Sequence, residues 1–168
     1  KVPARSASRR ETVESKLGIL AGGGPLPARI VQSCLASARE VFVIAFNDET
    51  DPSTCEGVAH LWVSLGKVGT IIKRLKKENC VEVVLAGPIR RPSFSKLKPD
   101  LHALKLLGKI SKAAGQGDNA ILSILVKELE GEGFRVVGAD DLLSNVTAPG
   151  GIMSKKTPSE RDHADIKI

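Results

Sequence analysis

Gly22, Gly23 and Gly24 stand between a short apolar run, Leu17-Gly18-Ile19-Leu20-Ala21, and the proline-punctuated segment Pro25-Leu26-Pro27. A strand that leads directly into a helix leaves the first helical amides without intrahelical partners, and glycines let an anion approach the backbone without meeting a Cβ. The dinucleotide spacing G-x-G-x-x-G is met at Gly22 and Gly24, but Pro27 takes the third glycine's place. Pro27 is preorganised for the first helical position, where a missing amide costs nothing. The loop therefore reads either as a phosphate cradle of another kind or as a bare strand-to-helix turn. Further along, Ala86-Gly87-x-x-Arg90-Arg91-Pro92-Ser93-Phe94 follows a second apolar run. Gly87 breaks that run, and the Arg91 guanidinium can clamp a phosphate through two parallel hydrogen bonds while Arg90 faces solvent. Pro92 and Phe94 shape the loop and cover apolar surface. In Gly117-Asp118-Asn119 the Asp118 carboxylate can contact a ligand and also cap the helix that follows. Gly22, Gly23, Gly24, Gly87, Arg91 and Asp118 are thus the candidate binding residues. Lys67 fits either a phosphate contact or a solvated loop.

The remaining reactive residue types form no pattern. His60, His102 and His163 have no partners at metal or catalytic spacing and read as structural or exposed, and Cys34, Cys55 and Cys80 include no C-x-x-C. No Ser/His/Asp or Cys/His arrangement is evident for nucleophilic catalysis. No metal ligand and no catalytic residue are assigned within the chain.

Elements that could position these residues follow from hydrophobic periodicity. Strands are expected over Lys16–Ala21, Val41–Phe46, Leu61–Ser64, Val81–Ala86 and Phe134–Gly138. Helices are expected over Leu26–Ala38, with Ile30, Val31, Cys34 and Leu35 on its core side, and over Thr70–Glu78 after Gly66 and Gly69. Two more should cover Asp100–Ala114 and Asp118–Glu132, with a last turn from Ala139 to Leu143. Strands apolar on both faces that alternate with helices imply an α/β domain, a Rossmann-like open, mostly parallel sheet with helices on both faces. Ligands of such sheets lie beyond the strand C-termini, so the loops after Ala21, Phe46 and Ala86 should converge on one crevice. Residues 1–15 read as a flexible basic arm, 16–143 as the Rossmann-like domain and 144–168 as a linker toward a further domain absent from the chain.

At 168 residues with 42% hydrophobic content, the chain can bury a real core. No apolar run is long enough for a bilayer and the amino terminus has no signal-peptide pattern, which with three unpaired cysteines fits a reducing cytoplasm. The net charge of +6 suits nucleic acid, an anionic membrane surface or a phosphorylated small molecule. Single-strand readers rely on aromatic platforms, and with no Tyr, one Trp and four Phe the nucleic-acid reading is disfavoured. The run Lys73-Arg74-Leu75-Lys76-Lys77 reads as a solvated helix face.

Four signals occur in one order: the Gly22-Gly23-Gly24-x-x-Pro27 loop, Ala86-Gly87-x-x-Arg90-Arg91-Pro92-Ser93-Phe94, Gly117-Asp118-Asn119-x-Ile121-Leu122, and Lys155-Lys156-x-Pro158 leading to Ala164-Asp165-Ile166. In that order they resemble the amino-terminal domain of the UDP-2,3-diacylglucosamine pyrophosphatase family of LpxI type. The resemblance runs from about Lys16 to Ile166. It implies a hydrolase of lipid A biosynthesis that splits UDP-2,3-diacylglucosamine into lipid X and UMP. It also implies a divalent cation, usually magnesium, and a catalytic aspartate, both held mainly by a carboxy-terminal domain that this chain lacks. The lipid product would lie between the two domains, and peripheral contact with the inner membrane fits the substrate. Thr70, Pro88 and Asn119 depart from the family pattern, and an Asp118-Asn119 pair carries one charge fewer for a hard cation than two aspartates. Two other functions fit the glycine loop: a nicotinamide-dependent oxidoreductase domain and a noncatalytic nucleotide-binding module. Pro27 opposes the first, as does a second strand that ends at Phe46-Asn47 with Asp48 only beyond it.

Overall fold

A computed structural model describes residues 15–90, 98–113 and 118–143. Five strands, β1 (Leu17–Ala21), β2 (Val41–Phe46), β3 (His60–Val63), β4 (Glu82–Ala86) and β5 (Arg135–Val136), form one sheet in the order β3-β2-β1-β4-β5. Every pairing is parallel. Because successive side chains leave a strand on opposite faces, the apolar runs divide into two cores. Leu17, Ile19, Val43 and Val84 point to one face, where they meet Ile30, Val31 and Cys34 of α1 (Leu26–Ala36), Cys55 of a 3-10 turn (Pro52–Cys55), and partly buried residues of α5 (Ala139–Leu142). Leu20, Phe42, Ile44 and Val83 point to the other, against Ile71, Ile72 and Leu75 of α2 (Val68–Lys77) and Leu129 of α4 (Asp118–Gly131). α3 (Leu101–Ala113) packs in this second layer between α2 and α4. The Rossmann-like arrangement expected from the sequence is therefore present, helices on both faces included. Complete burial of a side chain such as Phe42 contributes about 1.5–3 kcal/mol.

Several boundaries differ from expectation for local reasons. α1 starts at Leu26 as expected, but Pro27 then takes the second helical position rather than the first, Pro25 at φ −80° and ψ −13° standing as the cap. α1 stops at Ala36 because Ser37 turns its hydroxyl onto the carbonyls of Ser33 and Cys34 and Ala38 reverses the chain at φ 57°. Leu35 is more than half exposed, since Pro27, Ile30, Val31 and Cys34 already form the buried stripe. α2 begins at Val68 and takes in Gly69, whose missing Cβ lets it lie against Asp100 and His102. β3 starts one residue early, at His60, in register with Val43. The basic arm short of Ser15, the segment from 144 onward with His163, Pro158 and Lys155, and Arg91, Pro92, Phe94 and Gly117 lie outside the described residues.

One charged residue sits inside the sheet. Glu82 is buried in β4, where it pairs with Arg39 and with Arg135 of the neighbouring strand; Arg39 also donates from Nε to the Ser15 carbonyl at 3.1 Å. This cluster ties the start of β1 to the N-terminal edge of the sheet, at the end opposite the candidate site. No helix among the described residues is long and apolar enough to cross a membrane.

Candidate functional site

The chain passes outward from β1 to β2 and β3, then returns to β4 on the other side of β1. Loops leaving β1 and β4 therefore diverge at their C-terminal ends, the switch point where parallel sheets take ligands. Here the glycines meet. The Gly22 amide donates to the Ala86 carbonyl and the Gly23 amide to the Pro88 carbonyl, both at 2.8 Å. A Cβ on Gly22 would lie 2.5 Å from the Pro88 oxygen and 2.7 Å from the Gly87 oxygen. One on Gly87, where φ is +84°, would strike the Gly23 carbonyl. Gly22, Gly23 and Gly87 thus let two backbones cross, and the amides of Gly22 and Gly23 are already spent on β4. Gly24, at φ +76°, has open space apart from Pro88 Cδ at 3.8 Å. Among the described residues, no acceptor meets the amides of Gly24, Leu26 and Ala28.

The loop after β2 joins the same junction. Thr50 is buried and its hydroxyl donates to the Ala21 carbonyl while accepting from the Phe46 amide at 2.8 Å. The Glu49 carbonyl faces Gly23, and the Glu49 carboxylate accepts from the Arg90 amide at 3.3 Å. Arg90 Nη2 donates to the Asp48 carbonyl at 2.6 Å although the side chain stays exposed, so the arginine both faces solvent and closes a loop. Thr50 and Glu49 had no signal in the sequence beyond lying in the polar loop Asn47–Pro52, because the Ala21 carbonyl, Gly23 and Arg90 that they meet come from other loops and strands. The three loops converge as the parallel topology requires.

Beside this junction, on the α2–α4 face, lies a cavity of about 550 Å³. Its floor is Leu20, Phe46, Leu85 and Ala86, its walls include Ile72 and Leu125, and Gly87 and Ile89 stand at the rim. Glu128 is the charged residue among its lining side chains. That carboxylate is held by neighbours: Oε2 accepts from Lys109 at 2.6 Å and Oε1 pairs with His102 Nε2 at 2.8 Å. The hydrogen bond from Lys109 is the largest influence and, with His102, keeps Glu128 below the usual carboxylate range against the opposing effect of burial. Glu132 is lowered likewise, chiefly by its 2.5 Å bond from Lys76. For Asp100, burial is the largest influence and acts upward, yet the combined amides of Ala103, Gly69 and Thr70 and the His102 charge bring it below its ordinary value. These contacts tie α2, α3 and α4 together around the cavity.

Asp118 opens α4, and its side chain, like that of Asn119, lies outside the described residues together with Arg91. Lys67 precedes α2 and is partly exposed. The three cysteines are buried, and burial raises the Cys80 thiol to about 11. Among the described residues, no three His, Cys, Asp or Glu side chains stand together as a metal site.

Residues 16–146 match the model of the LpxI N-terminal domain. The chain belongs to that family. It is 38% identical over 151 residues to UDP-2,3-diacylglucosamine pyrophosphatase LpxI of Caulobacter vibrioides (strain ATCC 19089 / CIP 103742 / CB 15), an alignment covering 90% of this chain and 54% of that protein. The LpxI-family chain thus spans about half the length of its curated relative. Among solved structures, glycinamide ribonucleotide transformylase 1 from Symbiobacterium toebii is similar at 20% identity and a TM-score of 0.39, over 64% of this chain and 62% of that one. N5-carboxyaminoimidazole synthase from Aspergillus clavatus is similar at 21% identity and a TM-score of 0.34, over 56% of this chain and 22% of that one.

Proposed function

We propose that the chain is the amino-terminal, substrate-binding half of a UDP-2,3-diacylglucosamine pyrophosphatase, which hydrolyses its substrate to lipid X and UMP in lipid A biosynthesis. The observation that carries this reading is the apolar cavity opening next to the glycine crossing. A diacylated sugar nucleotide needs an apolar chamber for acyl chains beside a backbone able to face phosphates, and about 550 Å³ falls in the range of ligand sites. A nicotinamide or nucleotide module would need polar groups where this cavity presents Leu20, Ile72, Leu85 and Leu125.

In this reading the crossing of Gly22 and Gly23 with Gly87 fixes the rim between sugar and pyrophosphate, and the amides of Gly24, Leu26 and Ala28 face the anion. Arg91 and Asp118, as the family resemblance implies, supply the remaining contacts. The reaction is attack of water on a phosphorus of the pyrophosphate: a new phosphorus–oxygen bond forms to the water oxygen, the bridging phosphorus–oxygen bond breaks, and UMP and lipid X separate. Magnesium or another divalent cation supplies charge neutralisation and an activated water in such chemistry. As the family resemblance implies, its ligands and the catalytic residues lie in the part of the family's length that this chain does not span. Calorimetric titration tests the reading. UDP-2,3-diacylglucosamine should bind and its deacylated counterpart should not, and Leu125→Trp, which fills the cavity, should weaken the acylated ligand at least ten-fold, about 1.4 kcal/mol. Equal affinity for the acylated and deacylated compounds would overturn it.

A further inference from the structure

The helical layer over the cavity has an outer surface that the binding reading does not use. α2 carries Lys73, Arg74, Lys76 and Lys77 with no acid between Val68 and Lys77, and α3 likewise has lysines and no acid from Leu101 to Ala113. Four acids nearby are engaged internally, Glu78 with Lys16 and Arg74, Asp100 with the amides of Gly69 and Ala103, Glu128 with Lys109 and His102, and Glu132 with Lys76, while Glu130 of α4 is exposed. Lys73, Lys77, Lys98, Lys105 and Lys127 are exposed and make no ion pair among the described residues. On the opposite layer the balance reverses, with Arg29 as the one charge of α1 and Asp140 and Asp141 on α5.

Amid these lysines α3 exposes leucines. Leu101 is 80% exposed and Leu104, one turn on and on the same side, 52%. Two cavity-lining residues are also half open to solvent, Ile89 at 41% and Leu122 at 49%, so the cavity's mouth opens on the same helical layer. Protruding leucines bordered by unpaired lysines, on a helix without acids, have the chemistry of an interfacial helix: the leucines enter the acyl boundary while the ammonium groups meet anionic headgroups. We propose that the outer face of α3, built on Leu101 and Leu104 and flanked by Lys98 and Lys105, docks the protein on an anionic bilayer. The docked orientation brings the mouth at Ile89 and Leu122 toward the membrane surface. This surface is independent of what the cavity holds.

Co-sedimentation of the 168-residue chain with vesicles tests the proposal without any sugar nucleotide present. The chain should sediment with phosphatidylglycerol-rich vesicles, lose that binding as salt rises, and stay in solution with phosphatidylcholine alone. Lys98→Gln and Lys105→Gln should each weaken binding roughly five-fold. The deciding variant is Leu101→Ser/Leu104→Ser, because the arm at residues 1–15 is also basic but cannot replace apolar insertion. It should lose about ten-fold or more in vesicle affinity with an unchanged circular dichroism spectrum, whereas Leu35→Ser on the opposite layer should bind like the parent. Absence of binding to phosphatidylglycerol vesicles, or leucine variants that bind as well as the parent, overturns the proposal. So does concentration-dependent self-association abolished by the same leucine pair, which assigns the patch to a second copy of the chain. The cavity reading is unaffected by each of these results, since its own test uses soluble ligand and calorimetry.

Discussion

Gly22→Ala isolates the backbone crossing that organises the site. The new Cβ would lie 2.5 Å from the Pro88 oxygen, 2.7 Å from the Gly87 oxygen and 3.0 Å from the Gly87 carbonyl carbon, all of them backbone atoms that cannot swing aside. Ordinary carbon–oxygen contacts begin near ~3.3 Å, so the β1 and β4 loops must part by roughly 0.8 Å. That movement breaks the 2.8 Å bonds from Gly22 to Ala86 and from Gly23 to Pro88. Two such bonds contribute about 2 kcal/mol together, and the strain left after relaxation adds ~1–2 kcal/mol. The total, ~3–4 kcal/mol, corresponds to a fall in Tm on the order of 10 °C for a domain of this size. Gly57→Ala provides the reference: its φ of +72° disfavours a Cβ, a backbone cost that Gly22 does not carry, but nothing lies within 4 Å of the added atom. That variant should lose only ~1 kcal/mol. Urea unfolding followed by circular dichroism measures both. A Gly22→Ala protein no less stable than Gly57→Ala would refute the crossing as a stabilising contact.

Glu82→Ala should destabilise by ~3–5 kcal/mol in the same unfolding assay, because it removes the buried carboxylate that Arg39 and Arg135 share from the middle of their ion-pair cluster, whereas Arg135→Ala should cost ~1 kcal/mol or less since that arginine is mostly exposed. Asp100, Glu128 and Glu132 have lowered native pKa values, so the stability they confer is complete above their unfolded values near ~4–4.5 and is lost as pH falls through the lower native ones. Tm should accordingly drop as pH falls from about 5 to 3, and Glu128→Gln should flatten that drop; a parent curve no steeper than the variant's contradicts the linkage. The 168-residue chain should release no UMP from UDP-2,3-diacylglucosamine with magnesium, and fusion to a family carboxy-terminal domain should restore release, as followed by product chromatography. Magnesium-dependent turnover by the purified chain alone would place the chemistry in this half.

The sheet was legible because β1, β2 and β4 are apolar on both faces, a pattern that an amphipathic helix or a half-exposed strand does not produce. Boundaries slipped where long-range contacts outweigh local preference. Gly69 reads as a helix breaker until Asp100 and His102 require its missing Cβ, and β5 retains only Arg135 and Val136 because its pairing is with the first two residues of β4. Glu82 offered no partner in its own neighbourhood; the two arginines that neutralise it come from the loop between α1 and β2 and from β5. The cavity was likewise hidden. Its lining residues read one by one as core, and the space they leave depends on how α3 and α4 stand over the sheet.

Glycine runs are ambiguous in sequence because two different needs select the same residue. A ligand approaching the backbone and a second strand's loop crossing it both exclude a Cβ, and here Gly22 and Gly23 serve the crossing while Gly24 remains open. The division has a consequence for specificity. Where the edge of a site is made by two backbones fixed on each other, substitutions among the lining side chains can reshape the chamber without moving that edge. Under the proposed function, Ile72 and Leu125 can therefore vary to suit acyl chains of different length, while Gly22 and Gly87 cannot accept even a methyl group without parting β1 from β4.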